Sequence, residues 1–176
     1  QAGENWRYFK GTREPSSPTT AWRQVEFDDA AWPSGPTGIG YGDGDDATVL
    51  ADMEDGYLAI FCRKTFQVAD PSAIDALVLG ITYDDGFYAY LNGIEVASRN
   101  VSGRAIGDEA SASIEPTSVD IVLTASALVV GTNVLAVQAF NRPITSSDFV
   151  FDLELSATVS DREPPTVRSV DPPPGG

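Results

Sequence analysis

From Phe149 to Val159 apolar and polar residues alternate without a break. Phe149, Phe151, Leu153, Leu155, Ala157 and Val159 fill one set of positions, and Val150, Asp152, Glu154, Ser156 and Thr158 the other. Successive side chains of a strand point to opposite faces, so a period of two predicts a strand with one face in a core and one in water. Residues 76–82 repeat the pattern, with Leu77, Leu79 and Ile81 on one face. In residues 58–68 one face carries Cys62, Lys64, Phe66 and Val68, and the other Phe61, Arg63, Thr65 and Gln67. Residues 133–140 are almost wholly apolar and read as a buried strand, and residues 6–9 and 119–123 as shorter ones.

Residues 87–91 and 94–98 are separated only by Asn92-Gly93. A two-residue hairpin loop needs positive φ at both central positions, which Asn-Gly supplies at least steric cost, so these are an antiparallel pair. Asp84-Asp85-Gly86 is an acidic turn leading into the first of them. Residues 27–32 read as a helical turn capped by Asp28 or Asp29, Asp70-Pro71 opens another short turn, and residues 124–128 form a third, closed by Gly131. Residues 99–115 and 141–148 read as long loops. No segment predicts a helix of ordinary length. Short strands separated by turn signals predict an all-β, antiparallel sandwich.

The 176 residues suit one domain, placed at 1–160. Residues 161–176, with Pro172-Pro173-Pro174, are read as a linker or the start of a following immunoglobulin-like domain. Net charge is −15, from 26 acidic and 11 basic residues, a poor match for nucleic acid or an anionic membrane surface. No apolar run is long enough to span a bilayer. There is no histidine, which removes the commonest general base and most zinc sites. The one cysteine, Cys62, makes no internal disulfide and reads as a small buried hydrophobe. Gln1-Ala2-Gly3 reads as a processed start or as a domain cut from a longer protein.

Several stretches fall into a recognisable order: Trp22 with Phe27-Asp28-Asp29-Ala30-Ala31-Trp32, then Gly38-Ile39-Gly40-Tyr41-Gly42-Asp43, then Arg63-Lys64-Thr65-Phe66. The Asn-Gly hairpin follows, then Gly131-Thr132-Asn133-Val134-Leu135-Ala136-Val137, then Ser146-Ser147-Asp148 and Phe151-Asp152-Leu153-Glu154-Leu155. This resembles a galactose-binding-like jelly-roll module of secreted, multidomain bacterial proteins. It is more distantly similar to the non-catalytic sugar-binding domain of family 2 glycosidases. The resemblance, over about residues 6–159, implies a jelly roll that binds a polysaccharide or glycan, secreted or at the cell surface, beside neighbouring domains of its own chain. It implies no catalytic residues. Such folds also serve as spacers or adhesion modules without a sugar ligand.

Two groups of residues carry candidate chemistry. Asp43, Asp45 and Asp46 lie in a glycine-rich loop, and calcium prefers several hard oxygen ligands on flexible loops. They form no EF-hand, because the later Glu is missing. The alternative is a solvated turn whose Asp residues bond their own backbone. Sugar recognition uses planar polar groups and an aromatic platform. Asp84, Asp85 and Arg99 fall at one edge of the hairpin, with Asn100; Asn141, Arg142 and Asp148 in the last long loop are placed beside them, with Tyr41 as platform. Their alternative is structural: turn capping, an Arg99–Asp pair and strand initiation. Trp6, Trp22 and Trp32 are read as packing anchors. With 26 acidic residues, a pair of carboxylates arises by chance, so no hydrolase is assigned.

Overall fold

The computed structural model describes residues 3–159. The linker expected at 161–176 lies outside the described residues. Among the described residues eleven strands run in order: β1 Asn5–Lys10, β2 Ser34–Pro36, β3 Ile39–Tyr41, β4 Thr48–Val49, β5 Ala59–Val68, β6 Ile74–Tyr83, β7 Gly86–Leu91, β8 Ile94–Arg99, β9 Thr117–Leu123, β10 Gly131–Phe140 and β11 Phe149–Val159. They form two facing sheets, β2-β1-β5-β10-β7-β8 and β4-β3-β11-β6-β9. Every pairing is antiparallel except the short β3–β4 contact. This is the expected jelly-roll-like β-sandwich. Among the described residues the only helical pieces are one-turn 3₁₀ segments at Ala21–Arg23, Pro71–Ala73 and Ala125–Ala127.

The alternation in β11 does what its period predicts for half its length. Phe149, Phe151 and Leu153 are buried between the sheets, but Val159 at the far end is 68% exposed. Toward that end the two sheets leave an open groove, lined by Phe66 and Val68 on one side and Leu155, Ala157 and Val159 on the other. Leu77, Leu79 and Ile81 of β6 face the same core, as do Ile60 and Cys62 of β5 and Phe87, Ala89 and Leu91 of β7. Cys62 is wholly buried and burial pushes its thiol pKa up, so it packs as a small hydrophobe.

A second core lies on the outer face of the six-stranded sheet. Phe61, Tyr88, Tyr90 and Phe140 project outward, and Trp22 and Trp32 cover them from the irregular segment before β2. Trp22 stands edge-on to Phe61, with ring centroids 5.0 Å apart. Central strands β5, β7 and β10 are therefore buried on both faces, which is why 133–140 lacks polar alternation. All three tryptophans are at most 6% exposed and act as packing anchors.

Arg63 holds this cover in place. Its neighbours in sequence alternate as a surface strand, yet it is 1% exposed. Nε donates to Asp29 Oδ2 at 2.7 Å, and the guanidinium also donates to the carbonyls of Trp22, Gln24 and Phe27. The helical turn expected at 27–32 is a single turn without a helix, closed by Trp32 N donating to Asp29 O at 2.9 Å. Asp28 Oδ1 accepts from Ala30 N at 2.9 Å, while Asp29, the other expected cap, is committed to Arg63.

Removing one partner of a buried ionic pair leaves the other polar groups stranded, at about 3–5 kcal/mol. Arg63→Ala is expected to lower unfolding free energy by about that much in urea titrations. Trp22 and Trp32 emission should shift to the red before the inter-sheet core unfolds. A change below about 1 kcal/mol would show that the cover stands without Arg63.

Candidate functional site

The acidic turn is built by the two sheets together. Asp84 and Asp85 link β6 of one sheet to β7 of the other. Asp84 N donates to Val150 O and Asp85 N to Phe140 O, both at 3.0 Å, so each sheet pins one residue of the turn. Gly86 follows because a Cβ there would lie 2.7 Å from Asn100 O. Asn100 donates through Nδ2 to Asp85 O at 3.0 Å and to Ala112 O at 2.7 Å. Asp85 is 1% exposed; Oδ1 accepts from Ile114 N at 2.6 Å.

Asp84, Asp85, Arg142 and Asp148 line one open cleft of about 300 Å³, with Glu115 at its edge. Four of the seven residues expected to bind ligand therefore meet. Arg142 comes from the loop 141–148 and is anchored by donating through Nη1 to Ala110 O at 2.9 Å and Ser111 O at 3.0 Å. Asn141 and Tyr41 stand behind the cleft. Asn141 is buried and donates to Tyr41 Oη at 3.1 Å, while Tyr41 Oη donates to Ser146 O at 2.6 Å. Tyr41 is 6% exposed, so the expected open aromatic platform is instead a buried brace for the loop. Arg99 is exposed, bonds Ser98 O and does not line the cleft. The register that opposes Phe87 to Arg99 puts its backbone at this end, but its side chain pairs with no Asp among the described residues.

The glycine-rich loop lies beside the cleft. Gly42, at φ 108°, packs so closely that a Cβ would meet Ser147 O at 2.3 Å and crowd Asp148. Carboxylate oxygens of Asp43, Asp45 and Asp46 lie within 4.8 Å of one another. The group offers hard oxygen donors only. Burial, then the Asp43 and Asp45 charges, pushes the Asp46 pKa up to about 7. Asp45 is raised through its contact with Asp43.

The same crowding acts on the turn. Burial, then hydrogen bonding and repulsion from Asp85, then Asp148 and Glu115, pushes Asp84 up to about 8. Protonated Asp84 can donate to Asp85, whose buried Oδ2 receives no other donor among the described residues. A deprotonated cleft concentrates charge that only hydroxyl donors or a cation can offset. Glu115 was invisible to sequence reasoning, because it reaches the cleft from a loop with no pattern.

No protein-family model and no curated protein matches the chain. Solved structures do. It is similar to a Bifidobacterium dentium β-glucuronidase complexed with coumarin-3-O-glucuronide, with TM-score 0.51 and 20% identity over 80% of this chain and 19% of that one. A Bacteroides uniformis β-glucuronidase matches with TM-score 0.53 and 16% identity over 85% and 17% of the two chains. A β-glucuronidase from an uncultured Clostridium species matches with TM-score 0.50 and 18% identity over 79% and 21%. At these identities the likeness shows a shared fold. The chain spans about a fifth of the length of these relatives.

A carboxyl whose folded pKa is raised stabilises the fold below its unfolded value, near 3.8, and loses that contribution as pH rises through the folded one, near 8. Asp84→Asn keeps the neutral shape and removes this loss. Its melting temperature should match the wild type near pH 4, exceed it increasingly up to about pH 8, and keep a constant lead above that. Parallel pH–Tm curves would show that Asp84 ionises freely.

Proposed function

We propose that this domain is a non-catalytic carbohydrate-binding module of a secreted, multidomain bacterial protein, assisted by calcium. The observation carrying this reading is the cleft in which Asp84, Asp85, Arg142 and Asp148 converge. A sugar hydroxyl both donates and accepts, so it can give its proton to a carboxylate and accept from a guanidinium. Asn141 and Tyr41 position the loop that carries Arg142 and Asp148. The fold shared with part of a glycosidase chain supports a sugar-related role. Calcium would sit on Asp43, Asp45 and Asp46, where its charge would offset the burial and the carboxylate repulsion that together push the Asp46 pKa up to about 7.

Affinity gels containing soluble polysaccharides, backed by a glycan array, test the binding claim. Retention should weaken at least tenfold, about 1.4 kcal/mol, in Arg142→Ala, in line with the loss of a charged hydrogen bond. Arg99→Ala should bind as the wild type does. No retention on any glycan would sink the reading. For calcium, the melting temperature at pH 8 should be higher in calcium than in EDTA, and Asp43→Asn with Asp45→Asn should erase the difference. Identical melts of the wild type would remove calcium from the proposal.

A spacer role has one observation in its favour. At the opposite end of the sandwich, Phe66, Val68, Ile74, Leu77 and Leu155 line an open, mainly apolar groove of about 500 Å³ beside Val159. An adjoining domain seated there would protect Phe66 and Leu155 from photochemical labelling, and unchanged labelling would discount that role.

A further inference from the structure

A second cleft opens on the outer face of the six-stranded sheet, away from the acidic end. It encloses about 310 Å³ between the segment before β2 and the loop after β8. Trp22, Phe61 and Gln138 form its floor, Arg23 and Arg104 its sides, and Glu14, Thr19 and Thr20 its rim. Floor and rim differ sharply: Trp22, Phe61 and Gln138 are at most 1% exposed, whereas Glu14, Thr19 and Thr20 are open to water.

Two buried polar atoms here lack partners among the described residues. One is Gln138 Oε1, on a wholly buried side chain in the middle of β10. Its orientation is fixed, because Gln138 Nε2 donates to Arg104 O at 2.9 Å and a flipped amide would set oxygen against oxygen. The other is Arg23 Nε. The Arg23 guanidinium lies 4.1 Å above the Tyr90 ring and 5.5 Å from that of Trp22, and it forms no ion pair among the described residues. Arg104 is already engaged, donating to Glu95 Oε2 at 2.5 Å and to Tyr90 Oη at 3.2 Å. The side chains of Glu14, Thr19 and Thr20 make no hydrogen bond among the described residues.

An unmatched donor and an unmatched acceptor in one cleft define the ligand's chemistry. A carboxylate would satisfy Arg23 and leave Gln138 Oε1 unpaired, since it has no proton to give. A cation would do the reverse. A hydroxyl serves both, accepting from Arg23 Nε–H and donating to Gln138 Oε1. Leaving either atom unpaired in a buried site carries a desolvation cost, which such a ligand recovers. Glu14, Thr19 and Thr20 offer further hydroxyl partners at the rim. The volume lies at the small end of ligand pockets.

We propose that this cleft is a second carbohydrate site, taking the hydroxyls of a neutral pyranose. It does not depend on the acidic end, which can fail as a glycan site without affecting this one.

Heteronuclear NMR titration separates the two. The probes are glucose, galactose, mannose, xylose, lactose and cellobiose, with glucuronate as the anionic arm. At least one neutral sugar should move the Trp22 indole and Gln138 amide signals saturably while those of Asp84 and Asp85 stay in place. Arg23→Met should weaken that response at least tenfold and keep the wild-type melting profile. Gln138→Leu should abolish it; if that variant does not fold, Thr20→Tyr, which fills the mouth from the exposed rim, should do the same. Shifts confined to Asp84, Asp85 and Asp148 would overturn the proposal while supporting the acidic-end site. Glucuronate binding more tightly than every neutral sugar would overturn it, as would the absence of any saturable shift, which would leave the cleft to water alone.

Discussion

A buried guanidinium organises the outer half of this domain. In a two-sheet sandwich each inner face is covered by the other sheet, and the outer faces ordinarily meet water. Here the six-stranded sheet carries Phe61, Tyr88, Tyr90 and Phe140 on its outer face, so something else must cover them. The cover is a segment with one 3₁₀ turn, whose carbonyls have no ladder in which to pair. Arg63 answers both needs, bonding three of those carbonyls and the Asp29 carboxylate. Taking a charge out of water costs several kcal/mol, which charged hydrogen bonds of good geometry repay. Four such bonds roughly offset the cost, so Arg63 selects one arrangement of the cover more than it adds net stability.

The hairpin is fixed as firmly at its tip. Asn92 and Gly93 take φ of 51° and 84°, the left-handed pair that a two-residue turn requires. Asn92 does more than tolerate that backbone: Nδ2 donates to Asn133 Oδ1 at 2.7 Å and Oδ1 accepts from Val134 N at 2.9 Å. Asn133, wholly buried, closes the preceding turn by accepting from Val129 N and donating to Val129 O and Gly131 O. Two motifs far apart in sequence are thus one hydrogen-bonded unit. With this end locked and Asp84-Asp85 pinned between the sheets at the other, β7 has little freedom in register.

What the sequence disclosed followed from local rules. Alternation located β11, β6 and β5, and Asn-Gly located the β7–β8 turn, because period and turn chemistry act over a few residues. Four of the expected ligand residues met for a related reason: hairpin geometry and a loop between paired strands bring chain ends together. The misses share the opposite cause. Arg63 sits in a polar alternation that suggests a wet face, and only the fold of residues 11–33 over that face makes it buried. Tyr41 looks like a platform until Asn141 and Ser146, about a hundred residues away, claim its hydroxyl. Gln138 reads as one polar residue in an apolar run, with no sign of the cleft above it. Each depends on a partner distant in sequence, where no local pattern reaches.

Burial of the six-stranded sheet on both faces links the two candidate sites. An outer cover has margins, and where the segment before β2 meets the loop after β8 a cleft remains, with Gln138 buried at its base. At the acidic end the same loop returns to the sandwich through Ile114 N, which binds Asp85, and brings Glu115 beside Asp84. The loop of residues 100–116 therefore shapes both clefts, donating a backbone amide at one and Arg104 at the other. A net charge of −15 adds a constraint that differs between them. The acidic cleft gathers like charges and binds best what brings protons or positive charge. On the outer face Arg23 and Arg104 stand against Glu14 and Glu95, so local charge is close to balanced, and hydrogen-bond matching rather than electrostatic attraction decides what fits.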